Sequence, residues 1–152
     1  MDLPKRKSIR LKEYDYTEIG CYFITLCVQN RKRIFKTENV GNDPCVVPQN
    51  KIIHKRLKDA ENKFGIRMDK YVIMPDHIHL IINIEKRSGC SVPQIMQWFK
   101  TMTTNDYIKG VKDGNFPPFY KKLWQKSYYE HVIRNVADYQ EIWQYIDGNP
   151  TK

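Results

Sequence analysis

Two apolar runs split by one turn dipeptide constrain this chain more than any other feature: Ile66 to Met74 and Ile78 to Ile84 flank Pro75-Asp76. Each run has the length and side-chain make-up of a strand, and Pro-Asp favours a turn, so the two pair as a hairpin or a close equivalent. A third run, CYFITLCV from Cys21 to Val28, is rich in β-branched and aromatic residues and ends at the polar cluster Gln29 to Arg33, which predicts a buried strand. Between these strands the period changes. Ile53, Leu57, Ala60 and Phe64 fall on one stripe of a helix that Pro48 starts and Gly65 stops. Lys51, Lys55 and Lys58 share another face of that helix. Ser91 and Gln94 have capping-box spacing for a second helix, with Pro93 in its first turn and Ile95, Trp98, Phe99 and Met102 facing inward. Gly110 to Pro118 is expected to be a loop, and LWQKSYYE from Leu123 to Glu130 a fourth strand. Val136, Tyr139, Ile142, Trp143 and Ile146 then mark a last helix, ended by Gly148 and Pro150.

The predicted order is strand, helix, strand, strand, helix, strand, helix. It defines an α+β fold, a ferredoxin-like split β-α-β antiparallel sheet with helices on one face and an additional C-terminal helix. At 152 residues, with 41% apolar and 28% charged side chains, the chain suits one core, so residues 1–152 are read as a single domain with a basic arm over 1–12. No apolar run reaches the roughly 18 residues that span a bilayer, and no signal-peptide core follows the basic start. The expectation is a soluble, cytoplasmic protein without a membrane partner. Cys21, Cys27, Cys45 and Cys90 form no C-x-x-C pair and no zinc-ribbon spacing, which fits reduced thiols.

Lys and Arg number 26 against 17 Asp and Glu, a net charge of +9, and such an excess points to a polyanion, nucleic acid being the commonest. Candidate chemistry is concentrated in YVIMPDHIHLIIN. His77 and His79 stand at i and i+2 of a strand, on one face with Cα atoms about 7 Å apart, close enough for both imidazoles to meet one divalent cation. The same spacing is also compatible with a packed pair. On the last helix Tyr145 lies about 100° from Ile146, at the edge of the apolar stripe, where it can face a site or simply pack. Asn149 follows one turn later on the same face and offers a neutral oxygen ligand.

The stretches KSIRLKEYDY with YFITLCVQNR, MPDHIHLII, PQIMQWFKTMTTNDYI, and WQKSYYEHVIRN with YIDGNP resemble, in the same order, the REP-associated tyrosine transposases, a branch of the single-tyrosine HUH transposases. The resemblance runs from about Lys7 to Pro150. It implies that His77 and His79 hold Mg²⁺ or Mn²⁺, that Tyr145 is the nucleophile, and that Asn149 completes the metal site, with His131 as a rival third ligand. It further implies cleavage and rejoining of single-stranded or hairpin DNA through a 5′-phosphotyrosine intermediate, by a monomer or homodimer. Basic residues suited to DNA phosphates are Arg6, Lys7 and Arg10 on the arm and Arg31, Lys32 and Arg33 after the first strand. Lys100, Thr103 and Thr104 on the second helix join them, with Lys126 and Arg134 nearer the last one. Two alternatives stay open: a domesticated protein that binds hairpin nucleic acid without cutting it, and a metal-dependent hydrolase using the same histidines with Asp76 as base.

Overall fold

A strand covered on both faces needs apolar side chains at every position rather than every second one, which explains the unbroken runs in the sequence. The computed structural model describes residues 19–39, 47–86 and 89–148. The expectations placed on Arg6, Lys7, Arg10, Cys45, Asn149 and Pro150 lie outside the described residues. In chain order the elements are β1 (Gly20–Cys27), β2 (Glu38–Asn39), α1 (Pro48–Phe64), β3 (Arg67–Met74), β4 (His77–Ile84), α2 (Val92–Lys112), β5 (Tyr129–Ile133) and α3 (Val136–Gly148). The strands form one antiparallel sheet in the order β2-β3-β4-β1-β5. Without the two-residue β2, this is the expected split β-α-β arrangement.

Even-numbered residues of β1 (Tyr22, Ile24, Leu26) and β4 (Ile78, Leu80, Ile82, Ile84) point into a core shared with Ile53, Leu57, Ala60 and Phe64 of α1 and Val92, Ile95, Met96 and Phe99 of α2. Their odd-numbered neighbours point the other way. There Phe23, Val72 and Ile81 meet Ile142 and Ile146 of α3 in a second, smaller cluster. The expected helical layer is therefore α1 with α2, and the additional C-terminal helix covers the opposite face.

Local chemistry accounts for the helix ends. Gly65 caps α1 in the left-handed region at φ 67°, its N–H donating to the Glu61 carbonyl, a conformation that favours a residue without a Cβ. Ser91 and Gln94 form the complete capping box of α2. Helix α2 runs past Gly110 to Lys112, because that glycine serves close approach: a Cβ there would overlap the Phe116 ring, which stacks on Tyr107 with centroids 5.0 Å apart. The fourth strand also begins later than LWQKSYYE suggests. Trp124 makes only one antiparallel bridge, to Val28, and its indole N–H donates to Thr103 Oγ1 at 2.8 Å inside the core. Lys126 and Ser127 then carry the chain out before Tyr129–Ile133 pairs with Cys21–Thr25. On α3 the buried seam narrows to Ile142 and Ile146, while Val136 is 71% and Trp143 36% exposed.

One ion pair fastens the two helices of the main layer. Arg56 of α1 reaches Asp106 of α2 with Nε to Oδ2 at 2.6 Å and Nη2 to Oδ1 at 2.8 Å, and both side chains are about 15% exposed. The Arg56 hydrogen bond holds the Asp106 carboxyl below its ordinary value of 3.8. Asp106→Ala is expected to cost about 1.5–3 kcal/mol by removing both Asp106 bonds from a mostly buried guanidinium and leaving it the Asp59 contact at 3.2 Å, measured by urea unfolding. Because the folded value is the lowered one, the pair's contribution is complete above about pH 4 and disappears as pH falls through that folded value. Asp106→Ala should accordingly flatten the acid limb of the stability profile.

Candidate active site

His77 and His79 leave the sheet on the α3 side because the residues between and beyond them, Ile78 and Leu80, are fully buried on the other. Their ring centroids lie 4.7 Å apart. The turn that delivers them is fixed by backbone bonds from outside the hairpin: Val28 N–H donates to the Asp76 carbonyl at 2.9 Å, and Ile34 and Phe35 N–H to the Pro75 carbonyl at 3.0 and 3.1 Å. The mouth of β4 is thereby tied to the end of β1.

In both imidazoles Nδ1 is already engaged. His77 Nδ1 lies 2.6 Å from Asp76 Oδ1, and His79 Nδ1 lies 2.7 Å from Oγ1 of Thr25, its register partner on β1. The Asp76 carboxylate can only accept, so His77 Nδ1 donates and Nε2 is the nitrogen left to meet a metal. The Thr25 hydroxyl, able to donate or accept, fixes the orientation of the His79 ring. Both are outer partners of the kind that position a metal-binding histidine. His79 is 4% exposed, and its burial, helped by the charges of His77 and Arg31, pulls its pKa down to about 3, so it stands neutral at physiological pH. Asp76 is committed on its second oxygen too, accepting from Arg31 Nε at 3.0 Å. Burial alone would raise the Asp76 carboxyl, but the hydrogen bonds from His77 and Arg31 outweigh it and hold it below the usual value. A carboxylate spent in this way is poorly placed to serve as the base of a hydrolase.

Helix α3 brings Tyr145 to the same place. Its ring stands edge-on to His79 at 5.3 Å and to Phe23 at 6.1 Å between centroids. Two polar contacts hold this helix to β3 and its start: Tyr139 Oη donates to Asp69 Oδ2 at 2.8 Å, and Lys70 Nζ to Asp147 Oδ1 at 2.9 Å. His131 is not brought to the pair. It faces Phe23 from β5, and its Nε2 lies 2.8 Å from Asp138 in the first turn of α3. Among the described residues, no group of three His, Cys, Asp or Glu side chains is arranged to hold a metal ion.

The basic residues singled out by sequence divide by location. Arg31 is on Asp76, Lys32 Nζ donates to the Pro118 carbonyl at 2.6 Å, and Arg33 and Arg134 are exposed. Lys100, Thr104 and Lys126 line one cleft of about 360 Å³ together with Lys122. Thr103 departs from expectation. It is fully buried, its hydroxyl donating to the Phe99 carbonyl and accepting from Trp124, so it has no access to a phosphate. Sequence reasoning did not single out Thr25, although a small hydroxyl side chain between Ile24 and Leu26 of β1 was a visible signal.

The chain belongs to the IS200-like transposase family, whose model matches residues 19–149. An uncharacterized protein of Haemophilus influenzae is 31% identical over 95% of this chain and 88% of its own length. A REP-associated tyrosine transposase of Escherichia coli is 22% identical over 90% of this chain and 70% of its own. In fold, the chain is similar to a REP-associated tyrosine transposase solved bound to a REP hairpin, with a TM-score of 0.62 at 21% identity, covering 93% of this chain and 73% of the other. No described helix is long and apolar enough to cross a membrane.

The Thr25 contact gives a direct test of how the buried imidazole is held. Thr25→Val keeps the shape of the side chain but leaves His79 Nδ1 unpaired, and is expected to cost about 1–3 kcal/mol in urea unfolding, whereas Thr25→Ser should recover most of that loss.

Proposed function

We propose that this protein is a metal-dependent single-stranded DNA endonuclease and strand transferase with Tyr145 as nucleophile. The observation that carries the proposal is Tyr145 standing edge-on to His79, which itself lies against His77, with Nδ1 of each imidazole held by a partner so that the Nε2 edges are left to meet a metal. The relatives' family and the net charge of +9 support nucleic acid as substrate, and the hairpin carried by a structural relative supports DNA with a folded stem.

Mg²⁺ or Mn²⁺ is the ion proposed at the two imidazoles. His77 and His79 would supply Nε2, and Asn149, outside the described residues, a neutral oxygen. When bound, the divalent ion draws charge from the non-bridging oxygens of the scissile phosphate and orients it for in-line attack. Asp76 keeps His77 in the tautomer that presents Nε2, Thr25 fixes the orientation of the His79 ring, and Arg31 holds Asp76. Tyr145 Oη forms a bond to phosphorus as the bond from phosphorus to the 3′ oxygen breaks. The phenol gives up its proton and the leaving 3′ oxygen gains one. The products are a 5′-phosphotyrosine and a free 3′-OH, so the phosphodiester energy is retained for rejoining to another strand. Arg31, Lys32, Arg33, Lys100, Thr104, Lys126 and Arg134, with Arg6, Lys7 and Arg10, supply phosphate contacts in this reading.

The nucleophile is tested with a hairpin oligonucleotide labelled at its 3′ end and Mn²⁺, because the fragment attached through its 5′ phosphate is the downstream one. Wild type is expected to form a covalent adduct, and Tyr145→Phe to form none while binding the hairpin within about twofold of wild type. Tyr139→Phe, whose hydroxyl faces Asp69 instead, retains the adduct. His77→Ala and His79→Ala lose both the adduct and Mn²⁺ binding. Adduct formation by Tyr145→Phe would move the role to another tyrosine, and a wild type that binds without any adduct would favour the non-cleaving hairpin binder.

Binding itself should be strongly salt-dependent. A log-log plot of affinity against salt is expected to have a slope of about −2 or steeper, as three or more phosphate contacts release counterions, and a flat plot would separate the basic surface from DNA.

A further inference from the structure

Tyr120 is 74% exposed, the most exposed of the large hydrophobic side chains among the described residues, yet the chain around it is firmly held. Phe116 and Phe119 pack on the buried Tyr107 with centroids 5.0 and 5.8 Å away, and Tyr107 Oη donates to the Pro117 carbonyl at 2.8 Å. Lys32 Nζ donates to the Pro118 carbonyl at 2.6 Å, and Lys122 N–H to the carbonyl of Tyr120 itself at 2.8 Å. Lys121 takes the left-handed backbone at φ 65°, a conformation that costs a lysine energy and turns the chain sharply beside the ring. An aromatic ring displayed on a pinned loop presents its area to a partner with little ordering left to do on binding.

The surroundings of the ring favour one kind of partner. Lys121 Nζ stands 5.2 Å from the ring centroid. A cleft at the base of the ring is lined by Gln29, Asn30, Lys32, Phe119 and Lys122 among others, with no carboxylate in its wall. Lys122 also lines the neighbouring cleft with Lys100 and Lys126, so cations continue from one to the other. The loop sits at the histidine end of the sheet: Gln29 N–H donates to the Leu123 carbonyl, the adjacent Val28 N–H donates to Asp76, and Arg31 follows. Cations interleaved with a displayed aromatic ring are the chemistry that binds unpaired nucleotides, the ring stacking on any base and the lysines meeting phosphates.

We propose that Tyr120 is a stacking platform for an unpaired base in the single-stranded DNA flanking a hairpin, with Lys32 and Lys122 holding the adjoining phosphates. This rests on the proposed action on single-stranded or hairpin DNA and adds where the unpaired strand lies. Lys32 keeps two of its three ammonium donors beyond the Pro118 bond. The platform is tolerant of sequence, since every base has a stacking face.

The test compares one DNA hairpin carrying a single-stranded flank with the same hairpin blunt-ended, by fluorescence anisotropy in EDTA, where no cleavage intrudes. Wild type is expected to bind the flanked hairpin more tightly. Tyr120→Ala should weaken that binding about 5- to 100-fold and leave the blunt hairpin within twofold, while Tyr120→Phe stays within twofold on both. A 2-aminopurine placed along the flank should be quenched at one position by wild type and Tyr120→Phe, and released there by Tyr120→Ala. Unchanged binding of the flanked hairpin by Tyr120→Ala overturns the proposal, as does an equal loss on both substrates. Because the readout involves no chemistry, absence of a Tyr145 adduct would count against the proposed reaction and leave the platform standing. A wild type that binds neither DNA would remove both.

Discussion

The register of β1 against β4 is the constraint on which everything else in this molecule depends. Thr25 lies opposite His79 and Cys27 opposite His77, in an uninterrupted antiparallel pairing that runs from Gly20 with Ile84 down to the turn. Because side chains alternate with a period of two, a slip of one residue would drive both imidazoles into the core of α1 and α2 and turn Ile78 and Leu80 toward Tyr145. The apolar cores on the two faces hold the register, since each strand carries a different apolar set to each face. Burial therefore sets the site's geometry before any polar contact is made.

Polar contacts then choose the state of the groups delivered there. A chain of charge-assisted bonds runs from Arg31 through Asp76 to His77, and Thr25 plays the corresponding part for His79. Arg31 reaches Asp76 from a turn in which Asn30 and Arg31 both take left-handed backbone, at φ 61° and 53°. Such conformations persist only where surrounding structure compensates, and here the Val28 bond to Asp76 and the Gln29 bond to Leu123 hold the turn. The strain thus sits beside the histidines, where it serves the aim of one guanidinium.

The position of Tyr145 depends on a different balance. With Ile142 and Ile146 as its fully buried residues, α3 docks through a narrow seam. Tyr139 on Asp69, Lys70 on Asp147, and Lys70 Nζ 4.9 Å from the Trp143 ring centroid add specific anchors. Asp69 also accepts from Asn83, linking the helix to β4 as well as to β3. The apolar seam and several separate polar partners together fix the rotation of this helix, so that no single anchor carries it, and its rotation decides whether a phenol at the edge of the stripe meets the imidazoles.

Local sequence determined a good deal on its own. The α1 stripe with its Gly65 stop, the Ser91 and Gln94 capping box, the hairpin about Pro75-Asp76 and the shared face of His77 and His79 all follow from periods and turn chemistry acting within about twenty residues, where the chain has few alternatives. Tertiary structure decided the rest, because each remaining point turned on a partner far along the chain. The Phe116 ring kept Gly110 inside a helix, and Trp124 held Leu123 to Gln125 against the end of β1 so that the fourth strand started at Tyr129. The opposite face of the sheet was left for α3, which is how Tyr145 came to His79 while His131 went to Asp138. Thr103 was drawn inside by a hydrogen bond from an indole 21 residues away. A polar residue's surroundings are set by what packs over it, and no local pattern encodes that.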